Sequence, residues 1–582
     1  MVQRMARRVN GGDAHAGGCD AASILSMLAP HETRHQIVYE MGGRSGLEGR
    51  IAPSGAAGHS GGKGALAMDM TMSRRGALAG LAGVLASASL PRSAGAQPRG
   101  LVTASLLGNL PNIHPWHVGN VETAAANLLG FSNLVKISPD GTLVPDLAVA
   151  LPTISADGLT YTFELRRDVR FHNGDRLTSE DVLYSFDKYL TTGRRRGNLR
   201  RFIKNVEKDG DYVVRFTLGD PWVGWMRLLG YEAAIVRRGT DVVNEGATGE
   251  NLYRGSRTAG CGPFIPKSFQ ADVAVEFEAF PGYFGGAPAS AGIRLVRIPD
   301  AATQLANLRA GSVDIISNCP PKDFAPTRQL QGYRGESRPS AGIFYMPMNV
   351  AKAPFDNIHL RRAVSCAIDR EYICDEIYSG LVTASALPAT PQEFWYEADL
   401  ANQLKYDPDR VRFHLRAAGM PRGFTFEAIV PVPSAYVEAR EAAVVMQANL
   451  AEFGIRMNMR QTDFVSMYRS AQNGDWQCFP HASMQSSIED YLIWNNYHKD
   501  GNQAQWMGYR NPAYDEAVME SFRHLEPARK RPSLRKVTEI LVDHCPALWI
   551  GRLNAYHLWR ADISGFAPRY SHFMDLTTVK KG

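Results

Sequence analysis

The sequence predicts an α/β protein, and three stretches carry that prediction. In the first, Leu159, Tyr161, Phe163 and Leu165 alternate with Thr160, Thr162, Glu164 and Arg166, the period of two of a half-buried strand. An Asn173-Gly174-Asp175 turn follows, and Thr178 stands three residues before Asp181, the spacing of a capping box that opens a helix. Val182, Leu183, Phe186, Tyr189 and Leu190 share one face of that helix. In the second stretch, Asp300 caps a helix that points Leu305 and Leu308 inward and ends at Gly311, and Val313–Ile316 reads as a short strand. In the third, Met446, Leu450 and Phe453 ride a helix closed by Gly454. Ile455, Met457 and Met459 then alternate with Arg456, Asn458 and Arg460. Helices alternating with strands in this way stack as α/β layers.

The 582 residues suffice for several domains. An apolar share of 45% against 21% charged is ordinary for a soluble globular chain. Most of the formal charge of +6 sits in residues 1–96, which hold ten Lys/Arg against six Asp/Glu. The nearly balanced remainder has no basic stripe with interleaved aromatics, so nucleic acid is not an expected partner. The run Arg194-Arg195-Arg196 reads as a solvated loop. None of the seven cysteines forms a CxxC pair, which removes zinc-ribbon and thioredoxin readings. Cys366 and Cys374 fall on one expected helix about 12 Å apart, beyond disulfide reach. Cys261 and Cys319 stay open, either as a pair in an oxidising compartment or as buried free thiols.

Residues 1–67 are rich in Gly, Ala and Ser and poor in aromatics, and are expected to be disordered or a mis-assigned extension. They contain His31-Glu32-Thr33-Arg34-His35, the H-E-x-x-H spacing that places two zinc-binding imidazoles on one helical face. No third ligand or substrate cleft accompanies it, so a metallopeptidase is the least favoured of the readings. Residues 68–96 have the order of an export signal. Ser73-Arg74-Arg75 precedes a mild apolar run to Leu90, and Ala94-Gly95-Ala96 offers a cleavage site before Gln97. The paired arginines and Gly/Ala-diluted core look like a twin-arginine signal, and the run is too short to span a bilayer. No cysteine follows the cleavage site, so a lipid anchor is not expected and the mature chain should be free in the periplasm.

The phosphate-loop pattern fails near Lys63, where Ala57 replaces its first Gly and Gly64 its Ser/Thr. Neither a cofactor nor a metal site is predicted. His114 and His117 have a ligand-like spacing, but Pro115 between them breaks regular geometry.

Several longer runs recur together: Asp157–Leu190, Leu143–Ala148 (LVPDLA), Ala259–Phe264 (AGCGPF), Tyr283–Gly286 (YFGG), Phe355–Arg370 (FDNIHLRRAVSCAIDR) and Tyr509–Asp515 (YRNPAYD). On these runs, from about Leu101 to Leu553, the chain resembles the family 5 solute-binding proteins of ABC importers, the dipeptide- and oligopeptide-binding type. The resemblance implies a two-lobed periplasmic-binding-protein fold (type II, cluster C-like) with a hinge. The first lobe is expected over 97–347 plus 548–582 and the second over 350–545. It also implies a non-enzymatic monomer that closes on a small-molecule or peptide solute and delivers it to a permease in the inner membrane. A solute receptor or chaperone-like binder without its own transporter is the alternative on the same fold.

Candidate contacts implied by the resemblance are Trp116, His117 and the Gly260-Cys261-Gly262 loop from the first lobe. From the second they are Asn349, Trp395 and the segment Gln485–Trp494 (QSSIEDYLIW). In that segment the peptide-binding pattern breaks. Aligning Tyr491-Leu492 with the family's Phe-Leu puts Ser487 where the first acid is expected and Glu489 at the second. A serine offers no charge-assisted bond to a peptide's terminal ammonium. Glu489 or Asp490 could substitute, or the solute lacks an amine. Trp395, Trp476, Trp494, Trp506 and Trp549 read either as stacking platforms or as core.

Overall fold

The computed structural model describes residues 100–582 apart from 119, 194–195, 223, 241–258, 318, 432–437, 484–491, 525 and 571–573. The His31–His35 motif, the export-type segment 68–96, and Gln485, Ser487, Glu489 and Asp490 lie outside the described residues.

Two architectures alternate along the first part of the chain. Strand β1 (Leu101–Leu106) belongs to a large sheet, and α1 (Val121–Gly130) follows, capped where the Asn120 side chain accepts the Thr123 N–H. A small antiparallel sheet is then inserted. Its strands β2 (Thr153–Ile154), β3 (Thr160–Glu164), β4 (Ile203–Lys208) and β5 (Val213–Leu218) lie in the order β2-β3-β5-β4. Tyr161, Phe163 and Leu165 point into the core as their alternation requires. Helix α2 (Ser179–Thr192) opens at Thr178, whose N–H donates to Asp181 Oδ2 at 2.8 Å. The second oxygen of Asp181 accepts the Arg238 N–H at 2.9 Å, so one carboxylate both starts the helix and fixes the chain leaving the small sheet.

The chain next returns to the large sheet through β6 (Phe264–Gln270), β7 (Ala274–Ala279) and β8 (Gly292–Arg297). Helix α3 (Ala301–Ala310) has the expected Asp300 cap and ends at Gly311 in the left-handed region, φ 74°, where a side chain would be strained. β9 (Ile315–Ile316) follows. The decisive element is β10 (Tyr333–Pro347), a 15-residue strand whose early half contains Arg338-Pro339-Ser340-Ala341-Gly342. They stay in the strand as a bulge because Ser340 Oγ donates to Leu553 O at 2.5 Å and the Ala341 N–H donates to Tyr570 O at 2.7 Å.

Between β10 and its return partner lie α4 (Ile358–Cys366), β11 (Val382–Ala384), α5 (Pro408–Ala417), β12 (Thr425–Pro431), α6 (Ala439–Ala451), β13 (Arg456–Thr462), β14 (His481–Ser483), α7 (Ile493–Tyr497) and α8 (Pro512–Ser521). β12 and β13 pair in parallel across α6, the right partners for a strand–helix–strand crossover. β15 (Ala547–Arg560) then runs back antiparallel to β10 along nearly its whole length. The large sheet has nine strands in the order β14-β10-β15-β9-β1-β8-β7-β6, with β11 added to β15. Its two long strands therefore belong to both lobes. One end of β15 pairs with β9, and its middle pairs with β11. Below, the first lobe means the chain outside this strand pair and the second lobe the chain between its members.

The expected single helix carrying Cys366 and Cys374 is broken. α4 stops at Cys366, and Asp369 caps a new turn whose chain continues as a π-helix over Ile373–Ile377. The break serves Arg370, which is buried and donates to Trp549 O at 2.6 Å and to Ser365 O and Ile368 O, so the helix gives up its own carbonyls to satisfy a guanidinium. All six described cysteines are free. Cys261 and Cys319 sit in different apolar clusters, and burial pushes both thiols up, that of Cys319 to about 12.

Replacing Asp181 with Ala leaves two buried or half-buried backbone N–H groups without their acceptor. The expected loss is about 1–3 kcal/mol, read as a lower urea midpoint, with Asp181→Asn losing less.

A cleft at the hinge and its closed edge

Strand β14 is the edge of the large sheet. It pairs with the hinge strand through Ile343↔Ser483, Phe344↔Ala482 and Tyr345↔His481. Just upstream, Cys478 bridges Met348 on one side and Ala428 of β12 on the other, which joins the second lobe's parallel pair to the hinge. β12 is described as far as Pro431, and among the described residues no strand pairs with β14 on its other edge. The chain leaving β14 enters segment 484–491 and re-emerges at α7.

The floor beside β14 is aromatic and polar. His481 is buried among the rings of Tyr345, Tyr468 and Phe479, with centroids 5.5–5.9 Å away. Burial pushes its imidazole down to about 4, so it is neutral at pH 7. Tyr345 Oη donates to Gln503 Oε1 at 2.8 Å and accepts from Asn496 Nδ2 at 3.0 Å. Trp506 sets its ring edge-on to Tyr468 at 5.4 Å. Sequence reading passed over His481, Tyr345 and Tyr468. The only sequence signal was the position of His481 a few residues before the altered segment.

Farther out, the two lobes touch. Phe202 and Trp222 of the first lobe meet Trp494 and Phe522 of the second. Trp222 stacks on Trp494 at 6.3 Å and on Phe522 at 5.6 Å, and Phe202 approaches Trp494 at 6.2 Å. Arg201 forms an ion pair with Asp500 across the same seam. His498 stacks on Trp494 at 5.9 Å. Burial, reinforced by Arg201 and Lys499, pushes His498 down to about 4. A cavity of about 420 Å³ opens alongside, lined by Arg201, His498, Lys499, Arg510, Asp515 and Glu516 among others.

The residues singled out in sequence are dispersed. Trp116 is 1% exposed, and its indole N–H donates to Ala234 O at 2.8 Å. His117 lies 3.0 Å through Nε2 from Thr192 O, at the end of α2. Gly260 and Gly262 allow a close backbone approach to the protein itself. A Cβ on either would fall 2.0–2.5 Å from the Gly130 backbone at the end of α1. Cys261 is buried between them. Asn349 ties the hinge to the strand beside it, donating to Trp476 O at 3.2 Å while its Oδ1 accepts the Ala351 N–H. Trp395 is enclosed in the second lobe's core, as are Trp476 and Trp549. Of the described candidates, only Trp494 stands at the meeting of the lobes. No group of three or more metal-ligating side chains occurs among the described residues.

Two α/β lobes joined by paired crossing strands, with a sheet edge opening between them, define a hinged binding protein. Residues 142–505 match the family described as bacterial extracellular solute-binding proteins, family 5. This chain belongs to that family, the solute-binding components of ABC importers. It is 25% identical over 464 residues to heme-binding protein A of Haemophilus influenzae, covering 75% of this chain and 82% of that protein. It is 25% identical over 479 residues to the dipeptide-binding protein of Escherichia coli, covering 77% and 89%. A solved relative in fold is an ABC transporter-associated periplasmic binding protein from Helicobacter pylori in complex with a peptide. It superposes with a TM-score of 0.73 at 20% identity, over 83% of this chain and 98% of that one. Among the described residues no helix is long and apolar enough to cross a membrane.

The buried histidines set an acid limit. His481, His498 and His557 are held neutral, each moved from an ordinary 6.5 to about 4. Between those values the unfolded chain binds protons that the native protein does not, so stability falls as pH falls. Each tenfold difference in proton affinity between the two states is worth about 1.4 kcal/mol. Thermal midpoints should therefore hold down to about 6.5 and decline steadily toward 4; a flat profile across that window would show these imidazoles to be hydrated.

Proposed function

We propose that this chain is exported to the periplasm by its twin-arginine-like segment, captures a solute between its lobes as a monomer and hands it to an inner-membrane permease. The first lobe runs over 97–347 plus 548–582 and the second over 350–545, with the bulge over Pro339–Ile343 as the place where the shared strand pair bends. The solute lies against the edge of β14, between the points where segment 484–491 leaves that strand and rejoins α7, and inside Trp494. The observation that carries this is the sheet edge. β14 presents one side to the hinge strand and, among the described residues, pairs with no strand on the other, and an extended ligand can add to such an edge through backbone hydrogen bonds. A ligand touching both the hinge strand's neighbour and the first lobe gains contacts in the closed form only, which is what shifts a hinge equilibrium.

The solute class is a peptide or a compound of similar size recognised chiefly through backbone-like groups and apolar rings. Ser487 in place of an acid argues against a simple dipeptide clamp, and Glu489 and Asp490 are the candidates for holding an amine. Glutathione, oligosaccharides and metal chelates are the other solutes to test.

The test is a thermal-shift screen of the full chain with dipeptides, oligopeptides, glutathione, oligosaccharides, heme and nickel–histidine. A solute that binds only the native state at a hundred times its Kd contributes about 2.7 kcal/mol. His481→Ala should weaken the best hit about two- to tenfold, the scale of one aromatic contact in an enclosed site. Absence of stabilisation by every class would overturn the solute-capture reading.

A further inference from the structure

The contact at the outer edge of the cleft is too complete to be incidental. Phe202 and Trp222 are fully buried, and among the aromatic partners that cover them are Trp494 and Phe522 of the other lobe. This is also where the apolar core of the small sheet and that of the second lobe run together as one cluster, whereas the core formed by β1, β6, β7 and β8 stays separate. Arg201 and Asp500 add an ion pair across the same line, with both side chains about one-third exposed, so it is reachable by solvent and salt. Every one of these contacts is made by the protein with itself.

We propose that Phe202, Trp222, Trp494 and Phe522, with Arg201 and Asp500, form a latch that closes the lobes on each other before solute binds. The inference rests on the two-lobed binding reading above and adds to it that a substantial closed population exists in the free protein. The latch is releasable for a physical reason. The indole N–H groups of Trp222 and Trp494 are buried there without an acceptor, and on opening both gain water, which offsets part of the apolar burial lost. The three ring contacts that cross the seam are together worth on the order of tenfold to two-thousandfold in the closed-to-open ratio. Solute then has less closing left to drive, and its apparent affinity is reduced only by the residual open fraction.

The test needs no solute. Full-length protein is unfolded and refolded to strip co-purified ligand, then measured by small-angle X-ray scattering and by acrylamide quenching of tryptophan fluorescence. The wild-type protein is expected to give the compact closed profile. Phe202→Ala combined with Trp222→Ala should raise the radius of gyration and expose tryptophan. Because that pair risks disturbing the small sheet, Arg201→Glu supplies a surface variant. It should shift the profile the same way, and Arg201→Glu with Asp500→Arg should return it to wild type. A wild-type profile already as open as the variants, or charge reversal that neither opens the protein nor is rescued by the swap, overturns the latch. Either result leaves the solute screen untouched, and a failed screen leaves this measurement standing.

Discussion

The fold depends on two long strands hydrogen-bonded to each other, Tyr333–Pro347 and Ala547–Arg560. They are the shared spine of both lobes. Each lobe adds its own strands to this spine, β9 and β1 at one end and β11 and β14 toward the other. Strands that continue from one lobe into the other cannot slide independently, because a one-residue slip would turn every side chain to the opposite face. They can still bend where the ladder is interrupted, and the register shifts in the middle of β10 mark that place.

Buried arginines secure the second lobe to this spine. Arg370 and Arg361 spend their guanidinium hydrogens on main-chain carbonyls, those of Trp549 and of His544 and Cys545. Arg552, on β15 itself, pairs with Glu393 and donates to Pro388 O. Burial lowers the affinity of Arg361 and Arg370 for their protons, yet an arginine remains charged at any ordinary pH. Such groups cost desolvation energy that their hydrogen bonds recover only in one geometry. They therefore specify how the helices of the second lobe meet the hinge.

The same logic separates scaffold from recognition. Gly260 and Gly262 fit under the end of α1, and Trp116 and Trp395 fill cores. These are requirements of packing in this chain. The neighbourhood of β14 is different. His481 is a buried, neutral imidazole beside a sheet edge, set against Tyr345, which belongs to the apolar core, and Tyr468, which packs on it.

Sequence alone determined the local elements and the family. Alternation fixed the strand Thr160–Glu164, the Thr178–Asp181 box opened its helix, and Asp300 and Gly311 bounded another, because each depends on residues a few positions apart. The departure from the peptide-binding pattern over Gln485–Trp494 is likewise a reading of sequence, and most of that segment lies outside the described residues. The lobe bounds near 347 and 548 came from the resemblance, but the length of the hinge strand did not, because its Arg338–Gly342 stretch is held extended by a partner more than two hundred residues away. The break after Cys366 was hidden likewise, since its cause is the carbonyl of Trp549. Which tryptophans are core and which stand between the lobes, and that His481 lies beside the hinge, were decided by the tertiary structure. Burial and edge position are properties of what packs against a residue, and that partner is set by the fold.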